Sequence, residues 1–401
     1  MTLPPVEKPH ITFLFSDTGG GHRAASEAII EAIHCEFGNA IVTQMVDFLK
    51  DYAPSPFNHL PEVYPEMVRV PELWGAMFDI SDGRPQARFV TSTLWPIVRN
   101  AAFKLVNDHH SEMLVSVHPL AISFALKALG RDRLPFVTVV TDLVSTHALW
   151  YDQRADLILV PTEQARQHAI QYRMSPEKVR VVGEPVAEKC SVPVGDRRAL
   201  RERFGWPQDK LVVLSVGGGE GMGPLGETAR AIDASGLDVT QVIVAGRNAK
   251  LESELRELTW ENPTFIYGFT HEMPDFMRAA DVLVTKAGPG TIAEALNAEL
   301  PMILYAKLPG QEDGNVDFVE SEGVGVWAPE PVEVVRALTR WACRPLEREK
   351  VVNACRRVAR PHAARQIAHI LAAQVGFIEQ PLDAEQPRTP SSPLKFASKA
   401  L

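Results

Sequence analysis

Three glycine-rich turns could bring the main chain close to a phosphorylated ligand. Each follows a short apolar run and precedes a helical pattern: SDTGGGHRAASE at 16–27, LVVLSVGGGEGMGP at 211–224 and VTKAGPGTIAEAL at 284–296. Glycine lets a ligand approach closely, and the helix start that follows offers free N–H groups and a positive dipole end. The turns match neither a Walker loop nor a dinucleotide-binding GxGxxG motif. An ordinary tight turn remains the alternative for each.

Polar side chains cluster beside the third turn and in the next predicted strand-to-helix turn. Glu294 falls in the first turn of a predicted helix, where its carboxylate either stabilises the helix dipole or accepts the two hydroxyls of a ribose. The segment PGQEDGNVDF at 309–318 adds Gln311, Glu312, Asp313 and Asn315. Groups of this kind suit the hydroxyls of a sugar. Together the two segments predict a nucleotide-sugar site.

His22 and Asp142 are the candidates for proton transfer. His22 stands at the start of the helix after the first glycine turn. A helix N-terminus lowers the pKa of histidine and favours the neutral imidazole that a general base needs. Asp142 ends an apolar run and is the second candidate, either as the base or as a group that orients it. His118 and His147 are either further site residues or ordinary polar side chains.

The elements that position these residues alternate between apolar β-rich runs and helical patterns. Such alternation is typical of parallel sheets covered by helices on both faces. Because the glycine turn of the first half has a counterpart half a chain later, we expect an α/β fold of two similar domains. This fold has two doubly wound Rossmann-like domains facing a central cleft, with ligands beyond the carboxyl ends of the strands. The predicted strands are 11–16, 41–46, 112–117, 136–141, 156–160, 179–182, 211–216, 241–245, 264–267, 282–285, 302–305 and 324–327. Helices of the first half are predicted near 22–37, 95–108, 120–129 and 163–173.

The domain boundaries follow from composition. An insertion at 51–80, with five prolines and five aromatic residues, interrupts the first domain and either contacts substrate or merely packs. The block 344–375 is predicted to be helical and could cross back to the first domain. The predicted divisions are a first Rossmann-like domain at 1–190, a linker at 191–208, a second Rossmann-like domain at 209–375 and a disordered tail at 376–401.

Composition excludes several classes of function. The chain has 401 residues and a formal net charge of -9, so nothing global favours nucleic acid as a partner. The four cysteines lack metal-binding or CxxC spacing, which predicts a reducing compartment. The sequence has neither a secretory signal pattern nor an apolar run of about 18 residues, so we expect any membrane contact to be at the surface.

The motifs resemble those of the monogalactosyldiacylglycerol synthases and the related processive diacylglycerol glucosyltransferases, which are GT-B enzymes similar to glycosyltransferase family 28. The resemblance extends from residue 16 to about residue 327, and GGGEGMGP, AGPGTIAEA and GQEDGNV are more similar to the monogalactosyl branch. The matching segments are SDTGGGHRAASEAI, SPFNHLP, VSVHP, VVTDL, GGGEGMGP, AGRNAKL, TKAGPGTIAEA and GQEDGNV.

This resemblance implies inverting transfer of a hexose from a UDP-sugar to the 3-hydroxyl of 1,2-diacylglycerol, which gives a β-glycoside. UDP-galactose is favoured over UDP-glucose as the donor. The resemblance further implies that the domain at 1–190 faces the acceptor and the membrane and that the domain at 209–375 binds the UDP-sugar. No DxD pair is present, and we expect neither a metal nor a cofactor. Because the acceptor resides in a bilayer, the implied location is peripheral, on the cytoplasmic face of a membrane, with anionic lipid as a further expected partner.

The resemblance also assigns roles to residues. His22 matches the proposed base, and Pro56 matches a proline of the acceptor or anionic-lipid region; Trp74 and Trp150 are added as acceptor candidates. The matched nucleotide positions are Gly290, Thr291, Ile292, Ala293, Glu294, Glu312, Asp313, Gly314, Asn315 and Val316. The glycine turns and the polar segment add Gly21, Gly218, Gly219 and Gln311 as UDP-sugar contacts.

One position departs from the family. The family pattern Gly-x-Pro-Val-Arg ends here in Ala187, so the arginine that would touch the nucleotide is missing. The diphosphate must then rely on main-chain N–H groups or on another cation.

Three alternatives stay open. They are a diacylglycerol glucosyltransferase, a GT-B enzyme with a soluble or peptidoglycan-type substrate, and a nucleotide-binding module without catalysis. The insertion at 51–80 favours a lipid acceptor, and His22 with Asp142 favours an enzyme.

Overall fold

The chain forms two α/β units, each built on a parallel six-stranded sheet. The computed structural model describes residues 8–68, 70–131 and 133–377, so nearly all of the predicted tail lies outside the described residues. Both sheets are doubly wound, which confirms the predicted fold class. Among the residues that the structure describes, no helix combines the length and apolar character needed to cross a bilayer.

The first sheet has the strand order β2-β1-β3-β4-β5-β6. Its central strands are buried on both faces, which explains why they appear in the sequence as continuous apolar runs. The strands are β1 (His10–Phe15), β2 (Val42–Asp47), β3 (Met113–Ser116), β4 (Phe136–Val139), β5 (Leu157–Val160) and β6 (Val179–Val181).

Two helices, α3 (Leu60–Met67) and α4 (Pro71–Ser81), form most of the insertion in the first unit. Prolines begin α4 and occupy the first turn of α3, where a missing N–H costs no helical hydrogen bond. The helix predicted from residue 95 begins at Arg84 and continues through Pro96. The helices are α1 (Gly20–Phe37), α2 (Phe48–Tyr52), α3 (Leu60–Met67), α4 (Pro71–Ser81), α5 (Arg84–Asn107), α6 (Pro119–Leu129) and α7 (Glu163–Gln171), with short 3-10 turns at Phe57–His59, Ala148–Trp150, Pro176–Lys178 and Glu188–Cys190.

The second sheet has the order β12-β11-β10-β7-β8-β9. Its strands are β7 (Leu211–Val216), β8 (Val239–Val244), β9 (Thr264–Tyr267), β10 (Val282–Lys286), β11 (Met302–Ala306) and β12 (Gly325–Trp327). Its helices are α9 (Leu225–Asp233), α10 (Ala249–Arg256), α11 (Met273–Ala279), α12 (Pro289–Asn297), α13 (Asp313–Ser321), α14 (Pro331–Cys343) and α15 (Pro345–Val358).

Two helices depart from the predicted domain boundaries. The predicted linker contains α8 (Arg197–Phe204), whose Arg201 guanidinium donates to Ala279 O and pairs with Asp281 of the second unit. The last helix, α16 (Ala363–Gln374), lies within the range predicted for the second domain but packs into the core of the first unit. The chain therefore crosses back between α15 and α16, inside the block 344–375 that the sequence analysis named for such a crossing.

Strand order places one crevice in each unit. The direction of winding reverses between β1 and β3 in the first sheet and between β7 and β10 in the second. Beyond the carboxyl ends of these pairs lie the glycine turns that follow β1, β7 and β10. Ligands of doubly wound sheets bind at such switch points.

Candidate active site

His22 lies in the first turn of α1, at the switch point of the first sheet. Gly19 precedes the helix with φ of 79°, a conformation that favours glycine and turns the chain from β1 into α1. The His22 side chain is partly exposed, and its Nδ1 lies 3.0 Å from Thr141 Oγ1. Its ring centroid is 4.4 Å from that of His118. The imidazole is thus held in place yet reachable from the cleft.

The protonation states of the two histidines follow from their surroundings. Burial lowers the pKa of His22 to about 4, against the opposing effect of a hydrogen bond to the backbone of Val117. Burial also lowers the pKa of His118 well below its usual value. Because His118 Nδ1 accepts the Leu120 N–H at 3.2 Å, its Nε2 carries the proton and faces Thr18 Oγ1 at 2.7 Å. His22 is therefore neutral near pH 7, and the ring of buried His118 packs against the His22 ring.

Asp142 joins the two units. Its Oδ2 accepts the Trp150 indole N–H at 2.6 Å, and its Oδ1 accepts the Gln311 amide at 3.0 Å from the second unit. Burial is the main cause that raises the pKa of Asp142 to about 6. With both oxygens engaged, Asp142 is better suited to orienting the site than to removing a proton.

The prediction that Trp150 contacts the acceptor is wrong. Trp150 was assigned to the acceptor, but its side chain is fully buried in the core of the first unit. A buried indole needs a partner for its N–H, and Asp142 supplies it. Trp150 therefore reaches the site only through Asp142 and cannot touch a lipid. His147 is buried too, with Nε2 3.1 Å from Ser81 Oγ.

Lys286 is a site residue that the sequence analysis missed. It ends β10 at the switch point, between the turns that contain Gly218 and Gly288, and a Cβ added at either glycine would lie within 3.2 Å of its side chain. Its Nζ is 2.5 Å from Glu312 Oε1, and Glu312 is 3% exposed. The sequence does contain a signal for this site residue: Lys286 is a charged residue at the end of an apolar strand, directly before a glycine turn. Arg247 lies beside Gly219 as a second cation.

The start of α12 presents main-chain groups and one carboxylate. Gly290, Thr291 and Glu294 are partly exposed, whereas Ala293 is buried. The side chain of Ile292 is fully buried in the core of the second unit. The Ile292 side chain therefore cannot reach a ligand, and the assignment of Ile292 as a nucleotide contact stays a prediction for its main chain.

The segment after β11 closes onto the first unit. Gly314 N–H donates to Ser145 Oγ at 2.9 Å, and Asp313 pairs with Lys307 at 2.8 Å. Asn315 is buried and donates to Ala287 O at 2.8 Å, which braces the third glycine turn. Val316 is buried in the core. The side chains of Asn315 and Val316 therefore support the turns from the interior, and the assignment of both residues as nucleotide contacts stays a prediction for their main chain.

The insertion covers this closed region. Its helix α4 packs against the loop before α13: a Cβ added at Gly75 would lie 2.8 Å from Pro309 Cβ. Phe78 of the same helix covers Gly310. Trp74 is partly exposed and meets the Tyr64 ring edge-on at 5.4 Å, and Tyr64 in turn lies over Gly19.

The remaining predicted site residues, Pro56 and three glycines, lie at the surface or close to it. Pro56, the remaining acceptor candidate, is exposed just before the 3-10 turn of the insertion. Gly21 and Gly219 are exposed, and Gly218 is partly exposed. Within the parts of the chain that the structure covers, no group of three or more His, Cys, Asp or Glu side chains is arranged to hold a metal ion.

Comparison with known proteins identifies relatives of both units. The first unit matches the family described as monogalactosyldiacylglycerol (MGDG) synthase over residues 22–186, and the second matches the glycosyltransferase family 28 C-terminal domain over 212–327. The chain is 36% identical over 380 residues to a probable monogalactosyldiacylglycerol synthase of Glycine max, covering 91% of this chain and 71% of that protein. It is 34% identical to the monogalactosyldiacylglycerol synthase of Spinacia oleracea over 384 residues, 92% of this chain and 73% of that one.

Solved structures support the fold. A putative UDP-N-acetylglucosamine 2-epimerase from Listeria monocytogenes aligns with a TM-score of 0.63 at 14% identity, over 94% of this chain and 99% of that one. MurG of Acinetobacter baumannii aligns with a TM-score of 0.57 at 14% identity, over 91% and 99% of the two chains. The two sheets, their facing switch points and these likenesses are those of a GT-B fold. Given the extent and identity of the matches to its relatives, the chain belongs to the monogalactosyldiacylglycerol synthase family.

Proposed function

We propose that this protein transfers galactose from UDP-galactose to the 3-hydroxyl of 1,2-diacylglycerol and forms a β-linked monogalactosyldiacylglycerol. Family membership supports this activity, since its relatives carry the name of that synthase. The observation that carries it is the neutral, partly exposed His22 at one switch point, with Lys286 and the second and third glycine turns at the other. This pairing provides a base for the acceptor and a cation for the leaving group.

The reaction would proceed by a single inverting displacement. The lipid hydroxyl attacks the anomeric carbon from the face opposite UDP, and His22 accepts its proton as the new bond forms. Charge then develops on the β-phosphate, where main-chain N–H groups of the glycine turns and the Lys286 ammonium stabilise it. The ribose is assigned to Glu294 and the hexose to Gln311 and Asp313. The hydrogen bond between Gln311 and Asp142 holds the two units together at the site, which would exclude water and limit hydrolysis of the donor.

The insertion and the helix that follows it, α5, are proposed as the membrane-facing surface. Helices α4 and α5 expose large apolar side chains, with Leu73, Ile80 and Phe89 exposed to 55%, 76% and 70%. Arg84 and Arg88 line a groove of about 480 Å³ beside them. An apolar face bordered by cations suits a bilayer that contains anionic lipid. The described cysteines are all free, which supports a reducing compartment and hence the cytoplasmic face.

Ile80→Glu tests the membrane surface. The charge would be buried among acyl chains, so we expect sedimentation with vesicles of mixed phosphatidylcholine and phosphatidylglycerol to weaken by about tenfold. Leu346→Glu is the matched control, because Leu346 is 74% exposed on α15 of the second unit. Equal vesicle binding by the Ile80 variant and the wild type would place the membrane contact elsewhere.

Gly75→Ala tests whether the insertion helps to hold the donor segment. Alanine favours a helix by about 1 kcal/mol over glycine, so α4 itself should become more stable. The added Cβ nevertheless collides with Pro309, and we expect KM for UDP-galactose to rise severalfold with an unchanged or higher melting temperature. Ala76→Ser, at the exposed neighbouring position, should leave KM unchanged. A wild-type KM in the Gly75 variant would show that α4 does not control this segment.

A donor comparison tests the proposed activity itself. Purified protein is incubated with diacylglycerol vesicles and labelled UDP-galactose or UDP-glucose, and the lipid fraction is separated. We expect labelled galactolipid from the first donor. Faster transfer from UDP-glucose would support the glucosyltransferase alternative, and no glycolipid from either donor would exclude a diacylglycerol glycosyltransferase.

A further inference from the structure

The 3-10 turn Glu188–Cys190, on the connection between the two units, is anchored on several sides. The Glu188 N–H donates to Glu31 Oε2 of α1 at 3.0 Å. The Glu188 carboxylate accepts two hydrogen bonds from Arg365 of α16, at 2.8 and 2.7 Å. These contacts fix one residue of the turn against the first unit and the returning helix.

The other two residues of the turn contact the second unit. Lys189 Nζ donates to His271 O at 3.0 Å. Cys190 Sγ lies 3.7 Å from Glu294 Oε1, within reach of an S–H···O hydrogen bond, and the thiol is only 9% exposed. A buried thiol on a turn whose two preceding residues are anchored is therefore directed at the carboxylate of α12.

The alanine at position 187 bears on the contact between Cys190 and Glu294, because it removes a charged side chain from the same segment. Where the family pattern has arginine, Ala187 packs against a small apolar cluster of Val186, Cys190 and Ala293. This segment therefore offers no guanidinium to the nucleotide at position 187. The thiol of Cys190 is its polar contact with the carboxylate that we assign to the ribose.

We propose that Cys190 is a positioning residue for the UDP-sugar: its S–H holds Glu294 Oε1, so that the carboxylate is oriented to accept the ribose hydroxyls. The proposal rests on the proposed function, because it assigns the ribose to Glu294. It deepens that function by naming the group that takes part in nucleotide recognition from the interdomain connection.

The groups around Glu294 predict a pH signature. Burial raises the pKa of Glu294 to about 7, whereas the Cys190 hydrogen bond and the charge of Lys189 lower it. Burial, and next the charge of Glu294, raise the pKa of the Cys190 thiol, with a smaller contribution from Glu31. The thiol therefore remains a donor at neutral pH. Since only the ionised carboxylate accepts two hydroxyls, UDP affinity should rise as pH increases through about 7.

Cys190→Ala and Cys190→Ser test the proposal in the full chain, by calorimetric titration with UDP between pH 5.5 and pH 8.5. Alanine removes the donor, so the pKa of Glu294 rises further and the affinity curve moves to higher pH. We expect UDP to bind about three- to tenfold more weakly at pH 7. The donor KM should rise while kcat is retained. Serine keeps an O–H donor and should restore most of the affinity.

Two controls separate positioning from packing. Cys355→Ala removes another buried thiol, which contacts carbonyls of the second unit, and should leave UDP affinity unchanged. In a Glu294→Gln background, whose affinity should no longer follow pH, Cys190→Ala should have no further effect. Equal losses in the alanine and serine variants, or an unshifted pH curve in the alanine variant, would overturn the positioning role. If the wild type binds no UDP, the proposed function fails together with this proposal.

Discussion

His22→Ala is expected to lower the rate of galactosyl transfer by about a hundredfold to ten-thousandfold, the range typical for loss of a general base. Removal of the imidazole leaves the acceptor hydroxyl without a proton acceptor in the transition state. The second and third glycine turns, Lys286 and Glu294 belong to the other unit, so UDP affinity should change by less than about twofold. Single-turnover transfer and calorimetric UDP binding measure the two effects separately.

The pH dependence gives the same assignment a second test. Since the pKa of His22 is lowered to about 4, the base is neutral and active above that value. Its contribution is lost only as pH falls through about 4, so no acid limb near pH 6.5 should be due to His22. His34→Ala is the matched control, an exposed histidine on the same helix. Near wild-type turnover by the His22 variant would remove it from the role of base.

Lys286→Met is expected to lower kcat/KM by about a hundredfold to a thousandfold, as loss of a preorganised charge beside the leaving group does. The ammonium is the cation that we assign to the diphosphate in place of the missing arginine. UDP affinity should fall more than UMP affinity, because UMP lacks the β-phosphate. Steady-state kinetics and parallel titrations with the two nucleotides measure these changes.

Lys286→Met should also lower the stability of the protein, so its effect on activity needs a control for folding. Removing Lys286 leaves the buried Glu312 carboxylate without its ion pair, which costs about 3–5 kcal/mol in comparable sites. Lys286→Met with Glu312→Gln should recover the melting temperature but not the activity. Lys210→Met, which breaks an ion pair with the exposed Asp238, should change neither. A folded Lys286 variant with wild-type kcat/KM would refute the assignment.

The fold was largely predictable because buried parallel strands are continuous apolar runs. Every predicted strand overlaps a strand of the two sheets. Helices with internal or initial prolines were harder to predict: α5 was expected to begin near residue 95, yet it begins at Arg84 and runs through Pro96. Packing of one face against the rest of the first unit outweighs the hydrogen bond that a proline removes.

The site was predictable only where its residues end a strand. His22 and the glycine turns could be found this way, because the switch points of a doubly wound sheet place strand ends together. The contact of Asp142 with Gln311 depends instead on how the two units meet. The same holds for the packing of Gly75 on Pro309. The position of one unit relative to the other cannot be read from the sequence pattern of a single strand, turn or helix.

The most direct test of the central claim is the anomeric configuration of the product made from UDP-galactose and diacylglycerol, measured by proton NMR. The α-linked donor and a single attack assisted by His22 require a β-galactosyl bond to the 3-hydroxyl, with a large coupling between H1 and H2. An α-linked lipid, or free galactose or an epimerised donor without glycolipid, would contradict the proposed reaction.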